Sequence, residues 1–478
     1  MKRFTCILIV FLLLLTACGS PDTISESKMD NINNESTETE TQPVSLIDEL
    51  GVQDFTGRTF TILDSNETPQ LHVNIPGDTL NGETVNDALF NRDTYIEDKY
   101  NVTLDYVQKS SFDNSLKNSV LAGDDIYNMT ITRMLSNQLG TMATEGILAN
   151  LCDIDVLSLD QLWWSPLMYD SMSLNGRMYY TTGDIAPSVY QTPCCMFLNL
   201  RLVEDYNINT DIYQLVLDGK WTLEAVEALI KDMDRDVDND GLINSVNDFY
   251  GIVMQSTTET SDALLSGANL QLCKITSDGT GLEINDFGGD TATIVDDIMK
   301  FTKTIKYSDI NDLINITFKE GRSLLLQHKL ESAAVHLRDM NDDYLILPMP
   351  KRDEAQSGYI SCVSGYVNCF VGIPTTADFE FTGFIAESLA RYSYENIRPL
   401  AYDMIYTEKL VRDERSADVL EILFNTLYVD YNVAYNFAGL GDALRDVIFN
   451  AKPLLSTVEA LSTKAETQIE KFIENWNR

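Results

Sequence analysis

Alternate carboxylates crowd one short stretch of the chain, Asp236-Val237-Asp238-Asn239-Asp240-Gly241-Leu242. With Asp236 at position one, this spacing matches a Ca²⁺-binding loop, in which oxygen ligands recur at every second residue and a glycine at position six allows the tight turn. The candidate ligands are the side chains of Asp236, Asp238 and Asp240 and the carbonyl of Leu242. Position twelve is Asn247 in place of a bidentate glutamate, and Asp248, one step on, is the candidate substitute. A structural Ca²⁺ is one reading of the stretch. A solvated acidic turn between a helix and the strand at 249–253 is the other.

Other chemistry is poorly supplied. The three histidines, His72, His328 and His336, lie far apart in sequence, so a His-rich zinc site or His-centred catalysis has few parts. The motifs G-x-S-x-G, H-E-x-x-H, the P-loop and G-x-G-x-x-G are all missing, as is C-x-x-C. A pair of carboxylates suited to glycoside hydrolysis is defined by distance in space, and 73 acidic residues supply some pair whatever the function. Against 34 basic residues they give a formal charge of −39. That balance argues against nucleic acid, whose phosphates need clustered Lys and Arg.

These residues need a scaffold, and 478 residues with 44% hydrophobic content supply material for two or three domains or lobes. The spacing predicts a strand at 59–63, an amphipathic helix at 84–100, a strand at 102–107, a short helix at 114–121 and a strand at 126–131. This β-α-β-α-β rhythm implies a parallel sheet with helical crossovers, whose ligands lie beyond the carboxyl ends of the strands. At the third strand that edge is Thr132-Arg133-Met134. Further strands are expected at 196–200, 249–253 and 324–326, with a turn at Asn175-Gly176 and a helix capped by Thr222. From about 378 the chain reads as helical, ending in an amphipathic helix with Leu454, Val458, Leu461, Ile469, Phe472 and Trp476 in step.

The N-terminus joins a basic head, Lys2-Arg3, to an apolar run that ends Leu15-Thr16-Ala17-Cys18. Its length suits a secretory signal and not a membrane span. Residues 15–18 resemble the bacterial lipobox, which implies a signal peptide at 1–17 and diacylation of Cys18, a stable two-chain anchor. The polar stretch that follows predicts a disordered tether within 18–50. The remaining cysteines, Cys152, Cys194, Cys195, Cys273, Cys362 and Cys369, read as mostly free, buried thiols.

Several segments appear in an order that resembles the extracellular solute-binding proteins of ABC importers, in particular the carbohydrate-type (family 1-like) lipoproteins of Gram-positive bacteria. They are Asn81-Gly82-Glu83-Thr84-Val85-Asn86-Asp87-Ala88, Ala122-Gly123-Asp124-Asp125, Trp163-Trp164, Gly176-Arg177-Met178-Tyr179-Tyr180, Trp221-Thr222-Leu223-Glu224, Phe318-Lys319-Glu320-Gly321-Arg322, and Leu347-Pro348-Met349-Pro350. The resemblance implies an α/β, two-lobed periplasmic-binding-protein-like fold of the class II type, each lobe a mainly parallel sheet flanked by helices, with a helical C-terminal region. The first lobe would comprise residues 55–182 and about 347–377, and the second 183–346 and about 378–478. It also implies a monomer that catalyses nothing, captures a small solute such as an oligosaccharide, and hands it to permease subunits in the membrane. A lipid-anchored carbohydrate-active enzyme and a surface sensor are the competing readings.

Sugar rings pack on aromatic faces and need fixed polar partners for their hydroxyls. Placement near strand ends or the implied hinge therefore selects Arg133, Trp164, Tyr190 and Tyr366 as ligand contacts. Gln255 and Gln327 join them from loops expected to face the cleft on the second lobe. His328, beside Gln327, reads as a structural donor.

Overall fold

Alternation of β-branched and aromatic residues puts Phe60, Ile62 and Leu63 in the core as the first strand forms, β1 (Arg58–Asp64). The computed structural model describes residues 45–65, 74–134, 138–243, 247–309, 313–365, 369–405 and 414–477. Cys18, the leader, most of the tether and Tyr366 lie outside the described residues. The end of the predicted tether is docked: Ile47 is buried, Ser45 Oγ donates to Glu395 at 2.6 Å, and the Leu46 amide donates to the same carboxylate at 2.9 Å.

A helix at Thr84–Tyr100 crosses from β1 to β2 (Val102–Gln108) and buries Val85, Ala88, Leu89, Ile96 and Tyr100 on one face. A second helix, Phe112–Ala122, crosses to β3 (Met129–Arg133). After the turn at Asn175-Gly176, both at positive φ, comes the short β4 (Tyr180–Thr181). The chain then leaves for a second sheet through β5 (Cys194–Asn199) and β6 (Tyr250–Gln255), followed by the hairpin β7 (Cys273–Ile275) and β8 (Leu282–Ile284). That sheet is completed by β9 (Tyr307–Asp309), β10 (Ser323–Lys329) and β11 (Tyr344–Pro348). The chain returns through β12 (Ser361–Cys362) to β13 (Cys369–Gly372), and β14 (Leu427–Tyr428) later pairs with β12.

The first sheet has the order β2-β1-β3-β13-β4 and the second β11-β5-β10-β6-β9. In each, one strand runs against the other four: β13 is antiparallel to β3 and β4, and β5 is antiparallel to β10 and β11. Both reversed strands follow directly on a passage between the sheets. The parallel rhythm thus gives the main direction, and the crossings supply the exceptions.

Two boundaries differ from the expectation. The return falls later than the expected start at about 347, because Lys351 exchanges backbone bonds with Trp221 and Leu223, and Tyr359 donates to the Val216 carbonyl, all within the second lobe. The helix Phe379–Asn396 belongs to the first lobe, since Phe381 and Phe384 pack edge-on against Phe55, Phe60 and Tyr100. Farther on, the helix Leu440–Asn450 bonds to the second lobe through Thr302 Oγ1 and the Ile448 carbonyl. The last helix, Leu454–Trp476, reaches back, with Trp476 stacked edge-on to Tyr179 at 4.6 Å. Among the described residues no disulfide forms, and all six cysteines are free. No described helix is long and apolar enough to cross a membrane.

Candidate functional site

A cavity of about 310 Å³ opens between the two sheets. Met134, immediately past the carboxyl end of β3, and Gly365 form one side. The helix Thr258–Gly267, which follows β6, forms the other with Thr258, Glu259 and Asp262. Cys362 and Val363 also line it. Asn432, Tyr435 and Asp442 close it from the C-terminal segment. The location obeys the rule for open α/β sheets, with ligand space beyond the carboxyl ends of the strands.

Local chemistry sets each wall. Thr257 caps its helix by accepting from the Thr260 amide at 3.3 Å. Three residues apart on that helix, Glu259 and Asp262 share a face. Thr258 Oγ1 donates to Asp442 Oδ1 at 2.8 Å and ties the helix to the C-terminal segment. Asp430 caps the helix Tyr431–Tyr435 and accepts from the amides of Leu272, Cys273 and Asn432 and from the Tyr428 hydroxyl. Burial pushes its pKa up to about 6 in spite of those bonds. Burial raises Asp262 well above the usual carboxylate range, and the charges of Asp430, Glu259 and Asp442 add to the effect. Buried in the cavity wall, Asp262 Oδ1, Glu259 Oε1 and Asn432 Oδ1 are acceptors without a hydrogen-bond partner.

Tyr435 supplies an aromatic edge. Its hydroxyl accepts from Tyr180 at 2.8 Å, and its ring stacks between Tyr431 and Phe437 with centroids 6.0 and 5.8 Å away. With Asn436 it also lines an adjoining cavity of about 300 Å³, walled by Gly140, Thr141, Gln468 and Lys471. The two spaces share one aromatic edge.

The sequence-selected residues distribute unevenly around this site. Arg133 is half-buried at the end of β3, opposite Cys369, next to the lining residue Met134. Gln255 ends β6, half-buried, three residues before the lining Thr258. Gln327 is buried within β10, beside Met196 and Met254. Trp164 is a core residue: it is 1% exposed and its indole N–H donates to Glu387 at 2.6 Å. Tyr190 is likewise buried, donating its hydroxyl to Asp184. His328 is buried with its Nδ1 2.5 Å from Ser332 Oγ, and burial drives its pKa down to about 3. Glu259, Asp262, Asn432, Tyr435 and Asp442 were not selected from sequence. For the first two a signal existed, the capped helix directly after a strand aimed at the cleft.

The acidic loop lies elsewhere, ahead of the amino end of β6. The side chains of Asp236, Asp238 and Asp240 converge so that one ligand atom from each lies within 4.8 Å of the others. Asp236 Oδ2 accepts from the Gly241 amide at 2.8 Å, and Gly241 takes the positive φ of 87° that the loop pattern requires. Leu242 is exposed. Asp248 is buried and braces the loop by accepting from the Val237 amide at 3.1 Å.

No protein-family model matches the chain, and no curated protein matches it in sequence. Solved structures do share its architecture. A cyclo/maltodextrin-binding protein crystallised with maltotetraose is similar at a TM-score of 0.55 and 12% identity, over 86% of this chain and 97% of that one. An ABC substrate-binding protein from Listeria monocytogenes in complex with cycloalternan is similar at a TM-score of 0.51 and 12% identity, over 87% of this chain and 99% of that one. The fold is therefore the two-lobed periplasmic-binding-protein type. Within it, the cavity between Met134 and the Thr258–Gly267 helix is the interlobe cleft.

Proposed function

We propose that this chain is the extracellular solute-binding component of an ABC importer, and that its solute is a carbohydrate. The observation that supports the reading is the interlobe cleft, where an aromatic edge, Tyr435, stands beside unpartnered polar oxygens. A pyranose offers both complements, an apolar face and a rim of hydroxyl donors. The adjoining cavity behind Tyr435 suits a second or third ring, which favours an oligosaccharide. The two similar structures named above hold maltotetraose and cycloalternan. Contacts on both lobes favour the closed state by their differential affinity for it, and the permease reads that state. The carrier acts as a monomer, anchored by lipid at Cys18, and releases its solute unaltered.

Calorimetric titration with a panel of neutral and charged oligosaccharides, run beside a hydrolysis assay, tests the proposal. Saturable binding without product is expected. Product formation would instead establish a carbohydrate-active enzyme.

The Asp236–Asp240 loop is proposed to hold a structural Ca²⁺ through those three carboxylates, with the Leu242 carbonyl completing the set and Asp248 bracing the loop. Six residues of β6 separate the loop from the cleft, roughly 20 Å. Such an ion steadies the second lobe and does not touch the solute.

A further inference from the structure

The cleft's unpartnered groups are of one kind. Asp262 is 7% exposed and Asn432 2%; both line the cavity, as does Glu259, and each of the three has a buried acceptor oxygen without a partner. Among the described lining residues no buried side-chain donor is left without a partner. A hydroxyl brings one donor and two acceptor lone pairs, whereas a protonated primary amine brings three donors and no acceptor.

Charge points the same way. Glu259, Asp262, Asp430 and Asp442 are the carboxylates at or behind the cavity. Lys329 approaches Glu259 at 3.7 Å, and Arg445 approaches Asp442 at 3.5 Å. Asp430 is satisfied by backbone amides. Asp262 has neither cation nor hydrogen-bond donor, and the charges acting most strongly on it are all negative. A buried carboxylate so placed is costly unless its partner arrives with the ligand. The second cavity carries no carboxylate and includes Lys471, so the negative charge is confined to one end of the groove.

We infer that the cleft selects a saccharide carrying a protonated primary amino group, seated on Asp262 with Asn432 and Glu259 as its further acceptors. The inference rests on the carbohydrate-binding reading and narrows it to amino sugars. Chain-wide acidity steers such a cation inward.

The test is calorimetry at low and high salt on the full chain. The probes are the β-1,4-linked tetramer of glucosamine, its fully N-acetylated counterpart, and maltotetraose. The amine tetramer is expected to bind at least tenfold more tightly than either neutral tetramer, with an advantage that shrinks in high salt. Asp262→Asn should erase that advantage without lowering the unfolding temperature. The wild-type comparison needs no variant and stands even if Asp262→Asn fails to fold. A neutral tetramer binding as tightly as the amine would overturn the inference and leave the carbohydrate reading standing. If no saccharide binds, either here or in the wider panel, both readings fall together.

Discussion

Asp184→Asn is the sharpest probe of what holds the first passage between the sheets in place. Asp184 lies in the first passage between the sheets, just beyond β4, and is fully buried. Arg398, 7% exposed in its side chain, grips it from two nitrogens, Nη2 at 2.6 Å and Nε at 2.8 Å. The Tyr190 hydroxyl donates to the same carboxylate, and the guanidinium also reaches Asn425 and the Leu162 carbonyl. Asparagine keeps the shape and removes the charge, leaving a guanidinium buried without its counterion. At an effective dielectric of 20, a charge pair about 4 Å apart is worth about 4 kcal/mol, and breaking a buried pair from one side typically costs about 3–5 kcal/mol. Urea unfolding, followed by both tryptophan fluorescence and circular dichroism, should show a loss of about that size at unchanged slope. Replacing both partners, Asp184→Leu with Arg398→Met, should recover much of the loss, because no charge is then stranded. A single-variant cost below about 1 kcal/mol, or a double variant no better than the sum of the singles, would refute the argument.

Two further outcomes follow from placements described above. Trp164→Phe keeps an aromatic ring but deletes the pyrrole half of the indole with its N–H donor to the buried Glu387, and losing that bond alone should cost roughly 1.5–3 kcal/mol in unfolding free energy. Saccharide affinity should stay within about twofold of the parent; a selective loss of affinity would return Trp164 to the cleft. For the acidic loop, adding Ca²⁺ to chelator-treated protein should raise the unfolding temperature, with about 2.7 kcal/mol gained at a hundredfold excess over the dissociation constant. Asp238→Asn combined with Asp240→Asn should abolish the shift, and an unchanged melting curve in the parent protein would leave the loop a solvated turn.

Much of the scaffold was legible because local chemistry decides it. Val85, Ala88, Leu89, Ile96 and Tyr100 recur at helical spacing, and all five are buried on one face of the helix Thr84–Tyr100. Thr222 accepts from the Ala225 amide as a cap should, and Asn175-Gly176 makes its turn. The residues whose surroundings the sequence did not show are those whose partners are remote in it. Nothing near Trp164 reveals that its N–H meets a carboxylate 223 residues away, and nothing near Tyr190 reveals Arg398 behind Asp184. The helix Phe379–Asn396 carries no mark of which lobe it joins, because Phe381 and Phe384 settle that only by meeting Phe55, Phe60 and Tyr100. Cleft residues suffer most. Asp262 resembles any other acidic residue until burial and its neighbours single it out.

The proposed site gives to Tyr435 the aromatic contact that the sequence assigned to Trp164, and the reason is structural. An aromatic ring can receive a ligand only if its own polar group is satisfied and one face or edge stays accessible. Trp163 and Trp164 meet the first condition through Glu387 and fail the second, being 7% and 1% exposed. Tyr435 meets both: its hydroxyl is held by Tyr180, its ring is half-buried, and Tyr431, Phe437 and Phe472 back it as one packed plate. That plate belongs to neither lobe alone. Tyr431 donates to the Met172 carbonyl in the first lobe, while the helix that follows is fastened to the second by Thr258–Asp442 and Thr302–Ile448. The C-terminal segment is thus a third connection between the lobes as well as a wall of the cleft. On the proposed function, a ring settling on Tyr435 would bear directly on a segment fastened to both lobes, which would couple occupancy to lobe position without any intermediary.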